Sequence, residues 1–208
     1  MTIQKSFPYI LMVGSIIGLL ASFILTVDTI EIIKNPAVNL PCNINPFISC
    51  TSVAGTWQSQ IFGFPNPLLG IVAFSMLFAI GVMLLSGGLS KKPLWLLVNL
   101  GTLAAIIFVI WFFYESVYKI GSLCIYCMIV WTVTWPLFLY TTIWNFKENH
   151  FSIESTAKKS FLFLKVKHQK AIDLFFHFVS RNHAQIFVVG YLTAILLILF
   201  HFRTFFFG

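Results

Sequence analysis

Gly121-Ser122-Leu123-Cys124-Ile125-Tyr126-Cys127 is followed by Met128 to Trp144 without one charged residue. A C-x-x-C therefore stands at the mouth of an apolar run of the length that crosses a bilayer, about 20 residues. Two thiols at this spacing can close on each other as an exchangeable disulfide. A helix starting there would stabilise a thiolate, because its unpaired N–H groups and macrodipole place partial positive charge beside the sulfur. The stretch reads as a redox motif where water meets lipid.

Outward from it, the whole chain is apolar. Of 208 residues, 59% are hydrophobic and 9% charged, against about 25% charged in a soluble domain. The apolar runs are too long and continuous for barrel strands of about 10 alternating residues. The expected fold is an all-α integral membrane protein, a four-helix transmembrane bundle with a fifth transmembrane helix. The spans fall at about Tyr9–Val27, Leu68–Leu85, Leu94–Tyr114, Cys124–Trp144 and Ala184–Phe202. The first lacks a small-x-small cleavage site and is expected to stay as an anchor. The expected organisation is a core over 1–146 with a cysteine loop at 30–67, a basic segment at 147–183, and the fifth span with a short tail at 184–208. Basic residues mixed with bulky apolar ones in 147–183 suggest a helix lying in the membrane surface.

Charge sets the orientation. With five spans, Lys5, Lys91, Lys92 and seven basic residues of 147–181 share one side, ten in all, against Lys34, Lys119 and Arg203 on the other. The positive-inside rule places the ten in the cytoplasm. That is an expectation of a bacterial inner-membrane protein with its N-terminus inside. The net charge of +7 then sets topology and needs no nucleic acid. All four cysteines, Cys42, Cys50, Cys124 and Cys127, fall on or near the outer, periplasmic side, where disulfides persist.

Cys42 and Cys50 are separated by seven residues in a loop rich in proline and asparagine, a composition that breaks regular structure. A mobile pair beside a fixed pair is what a relay of thiolate attacks through mixed disulfides requires. Two static staples are the alternative, but a bridge across C-x-x-C closes too small a loop to stabilise much. A zinc site of four thiolates is disfavoured by the wide loop spacing and the distance of any histidine. His150, His168, His177, His183 and His201 read as surface or interfacial residues, not haem ligands. With no flavin, haem or nicotinamide motif visible, a lipid-soluble quinone is the remaining electron acceptor. A transporter or scaffold with structural disulfides would call for charges at mid-membrane, which the first four spans lack.

The loop C-x7-C with Trp57 after it, Asn66-Pro67-Leu68-Leu69-Gly70 opening the second span and Cys124-Ile125-Tyr126-Cys127 opening the fourth resemble the vitamin K epoxide reductase family. They resemble most its bacterial homologues, which oxidise periplasmic thiol partners and pass electrons to quinone. The order of the two cysteine pairs is the reverse of that in the DsbB type. The resemblance covers about Tyr9 to Trp144. It implies that Cys42 faces the protein partner, Cys50 exchanges with Cys124, and Cys127 faces the quinone, ubiquinone or menaquinone. Asn66 matches an asparagine that hydrogen-bonds a quinone oxygen. Trp131 stands where the family has a quinone-binding tyrosine, and it offers only an N–H donor. Thr51, Ser52 and Thr56 are candidates for a hydroxyl that the family often carries after the second loop cysteine. Many bacterial homologues fuse a thioredoxin-like domain after a fifth span. Here the donor is expected to be a separate periplasmic protein of thioredoxin fold, DsbA-like.

Overall fold

The computed structural model describes residues 3–35, 38, 40–45, 47–88, 91–148, 174 and 176–203. Of the basic stretch expected to lie in the membrane surface, 149–173 and 175 fall outside the described residues. Among the described residues, five helices are long and apolar enough to cross a membrane: α1 (Ile3–Lys34), α3 (Pro67–Leu85), α4 (Lys92–Tyr114), α5 (Ile125–Lys147) and α6 (His183–His201). A short helix, α2 (Cys50–Ala54), and a 3₁₀ turn, Trp57–Gln60, lie in the loop between α1 and α3. The protein is a multi-pass, all-α membrane protein, as its composition requires. In a medium without water every backbone polar group must find its partner within the helix.

The helix starts and stops follow local chemistry. Pro67 and Pro93 occupy first-turn positions of α3 and α4, where a missing N–H costs nothing. A π-helical turn, Glu115–Ile120, continues α4 and ends at Gly121, whose φ of 68° is left-handed. Glycine takes that conformation without the Cβ clash of other residues, and the chain turns there into the C-x-x-C.

One boundary differs from expectation. The first span was expected to end at Val27, but α1 runs on to Lys34 and has 32 residues. At 1.5 Å per residue that is about 48 Å, well beyond a hydrocarbon core of about 30 Å. The polar residues after Val27 mark the exit from lipid and not the end of the helix, because no breaker occurs before Asn35-Pro36. Thr26 and Thr29 keep their hydroxyls satisfied on the carbonyls of Ser22 and Leu25.

The chain divides into two compact units, Met1–Thr141 and Thr142–Gly208. In the first, α1 packs along α3 through small residues. A Cβ on Gly18 would sit 2.5 Å from the Phe74 ring, and one on Gly70 would strike the Ser22 hydroxyl. Close backbone approach of this kind is how membrane helices pack where lipid is as apolar as leucine. In the second unit, Phe146 stacks on Phe176 and Phe187 on Tyr191.

Candidate functional site: four cysteines beside an apolar cavity

The loop that carries Cys42 and Cys50 is ordered by its asparagines. The Asn45 side chain accepts hydrogen bonds from the Ile48 and Phe47 amides, at 2.7 and 3.3 Å, and folds 45–48 into a turn. That turn lays residues 47–49 beside the segment before the C-x-x-C. The Leu123 amide donates to the Phe47 carbonyl at 2.7 Å, and the Ser49 amide donates to the Leu123 carbonyl at 2.9 Å. Ser49 then caps α2, accepting from the Ser52 amide at 3.1 Å. Such a cap satisfies one of the orphan N–H groups of a helix start. Cys50 is the first residue of α2.

Asn43 closes the loop on itself. Its carbonyl oxygen accepts from the Ser49 hydroxyl and the Thr51 amide, and its NH2 donates to the Thr51 hydroxyl, at 3.0, 3.2 and 2.8 Å. The hydroxyls of Ser52 and Thr56 donate to Ser49 and to the Val53 carbonyl. All three hydroxyl candidates therefore hold the loop's own structure. Ser59, which was not a candidate, has a buried hydroxyl on the carbonyls of Ala54 and Thr56 and lines the cavity described below.

Cys42 and Cys50 form a disulfide with Cα atoms 5.8 Å apart, inside the ordinary range. Cys124 and Cys127 are free thiols. The Cys124 sulfur lies 3.5 Å from the Cys50 sulfur. A bond of about 2.05 Å between them needs a movement of about 1.5 Å. Cys124 stands just ahead of α5, where helix-start geometry was expected to favour a thiolate. Its thiol is held below the ordinary value, first by a hydrogen bond from the Cys127 thiol, against burial, and then by the backbone amides of Cys127 and Tyr126.

The loop differs from expectation in one respect. Cys42 was expected to be mobile and open to a partner, yet it is only 4% exposed, and Cys50 is fully buried. The cause is the Asn43 clamp together with the apolar packing of Leu40, Val53 and Phe112 around the sulfurs. The pair is docked against the bundle.

A cavity of about 970 Å³ opens beside the sulfurs, at the upper end of ordinary ligand sites. Cys50, Cys124 and Cys127 line it, and so do Asn66, Trp131 and Thr134. Trp131 is fixed edge-on by Phe113 and Phe112, with centroids at 5.3 and 6.4 Å. The Asn66 NH2 donates to the Gln58 carbonyl at 2.7 Å, and its oxygen accepts from the Ile61 amide at 3.3 Å. This ties the 3₁₀ turn to the head of α3.

The family model of the vitamin K epoxide reductase family matches residues 9–142. The chain belongs to the vitamin K epoxide reductase family. No curated protein matches it. Membership makes the chain a membrane thiol–disulfide oxidoreductase of a family that uses quinone-type substrates. The match ends within α5, so α6 and the basic segment lie outside the family core.

Proposed function

We propose that the chain is a disulfide-generating thiol:quinone oxidoreductase that re-oxidises a periplasmic thioredoxin-fold partner, DsbA-like, and reduces membrane ubiquinone or menaquinone. The observation that carries the reading is the 3.5 Å approach of Cys124 to Cys50, which sets a closed outer disulfide against a free inner dithiol. The apolar cavity at Cys127 suits a lipid-soluble ring, which accepts two electrons and two protons when bound. Asn66 is assigned to a ring oxygen, and Trp131 to the wall.

The electrons are passed by sulfur exchange. A partner thiolate attacks Cys42. The Cys42–Cys50 bond breaks and its electron pair stays on Cys50. The partner's second thiol then displaces Cys42 and leaves as a disulfide. When the inner pair is closed, the Cys50 thiolate attacks Cys124 and the Cys124–Cys127 bond breaks, with the electron pair going to Cys127. Cys42 then attacks Cys50 and frees Cys124. The result is an outer disulfide and an inner dithiol, the state seen in the structure. Cys127, at the cavity wall, gives up the pair to quinone as it closes again on Cys124.

The test is quinone absorbance in purified protein supplied with a reduced thioredoxin-fold dithiol. Wild type should bleach quinone, and Cys50→Ala and Cys127→Ala should not. Quinone reduction by either folded variant at the wild-type rate would refute the relay. The orientation belongs to the same reading: all four cysteines should react with a membrane-impermeant thiol reagent from the periplasmic side only, once the loop is opened and reduced.

A further inference from the structure

The extension of α1 beyond the membrane carries Asp28 to the loop disulfide. The Asp28 Oδ2 lies 3.8 Å from the Cys42 sulfur, on a half-buried helix face. The other titratable groups that feel its charge are Glu31 on its own helix, and Cys124 and Tyr126 at the head of α5. Asp28 belongs to none of the cysteine, Asn66 or Trp131 motifs, and its sequence context reads only as an exit from lipid.

We propose that Asp28 decides which cysteine of the reduced outer pair carries the thiolate, by holding Cys42 protonated and leaving Cys50 as the nucleophile toward Cys124. The inference rests on the relay described above and adds a directing group to it. A carboxylate at this distance disfavours a second negative charge on Cys42 and offers an acceptor to its S–H. Cys50 instead meets the dipole of the Cys42 carbonyl at 3.9 Å and the Cys124 sulfur at 3.5 Å. The full charge therefore outweighs the dipole, and the thiolate falls on Cys50, the sulfur that is 3.5 Å from Cys124.

The exchange balances. When the partner's second thiolate forms the partner disulfide, the Cys42–partner bond breaks and its electron pair goes to Cys42. The proton released by that second thiol ends on Cys42, held toward Asp28. Cys50 keeps the pair it received in the first step and spends it on Cys124. One dithiol is oxidised and one disulfide reduced, and no further oxidant is needed.

The test reads Cys42 directly and needs no quinone. In Cys50→Ala protein, Cys42 is alkylated with a small haloacetamide across a pH series, and the modified peptide is quantified by mass spectrometry. Asp28→Asn in that background should lower the alkylation midpoint by about one pH unit, and Asp28→Glu should restore most of it. Asp28→Ala is the second neutral variant, with the same expected downward shift. A midpoint that stays put or rises in the neutral variants would overturn the proposal. So would a failure of Asp28→Glu to differ from Asp28→Asn, since a purely structural role does not follow charge. Failure of quinone reduction in wild type would remove the relay reading while leaving this midpoint measurable.

Discussion

Asn43→Ala should unlatch the loop that buries Cys42. The side chain makes three hydrogen bonds across the disulfide loop, to Ser49 and Thr51. A protein hydrogen bond is worth about 1 kcal/mol net. These three are only part-buried, so water replaces some of that, and we take about 2 kcal/mol for the set. Since Cys42 is 4% exposed, reduction of the disulfide from outside proceeds through an opened loop. A shift of about 2 kcal/mol in that opening raises the open fraction about thirtyfold. The assay is the rate of Cys42–Cys50 reduction by a small dithiol at fixed concentration, followed by trapping and mass spectrometry. Reduction should accelerate by about that factor in Asn43→Ala, and Asn43→Asp should fall in between, because it keeps the acceptor and loses the donor. An unchanged rate in the folded variant would show that the sulfur is reached without lifting the loop. The clamp would then have no part in gating exchange.

Three further outcomes follow from the same geometry. The hydrogen bond from Cys127 is the first cause of the lowered Cys124 thiol, and a depressed thiol pKa means more thiolate at a given pH. Cys127→Ala should therefore move the alkylation midpoint of Cys124 upward, read by the same peptide mapping in reduced protein. Gly18→Val should lower the thermal midpoint in detergent markedly, because a Cβ added there would lie 2.5 Å from the Phe74 ring and overpacking costs about 1–3 kcal/mol. Asn66→Ala removes two hydrogen bonds at the head of α3 and should cost about 1–2 kcal/mol of stability. If Asn66 also meets a ring oxygen, the variant should raise the quinone KM while leaving the rate of dithiol exchange at Cys42–Cys50 near wild type.

The docked loop and the cavity together explain how exchange and lipid-phase chemistry are joined in one small bundle. The sulfurs occupy the boundary between the loop and the apolar cluster of Leu25, Leu40, Val53 and Phe112. There Cys42, itself buried, lies against Asp28, and Cys127 lines the cavity. In the proposed relay, the 3.5 Å spacing of Cys50 and Cys124 holds the two sulfurs close to attack distance. Apolar side chains such as Leu97, Leu100, Ile107 and Ile110 stand exposed along α4, the surface that lipid covers.

The number and order of the membrane helices were legible in the sequence, because a span is a local property of about 20 apolar residues. Loop charge led to the expectation that the cysteines share one side, and the structure gathers all four into one cluster. The C-x-x-C at a helix start was equally local, and the lowered Cys124 thiol owes most to the Cys127 thiol three residues on and then to backbone N–H groups within one turn. Residue spacing alone left Cys42 and Cys50 equivalent. Their division of labour was implied only by the family resemblance, because the approach of Cys50 to Cys124 joins residues 74 apart in sequence. That approach is made by the pairing of Phe47 and Ser49 with Leu123, which no spacing encodes. The asparagines at 43 and 45 looked like breakers of structure, and in the fold they are what builds the loop, since their side chains replace missing backbone partners. In the sequence Asp28 is only the first charged residue after an apolar run. Only the continuation of α1 past the bilayer, with the loop packed back on it, brings its carboxylate to the Cys42 sulfur.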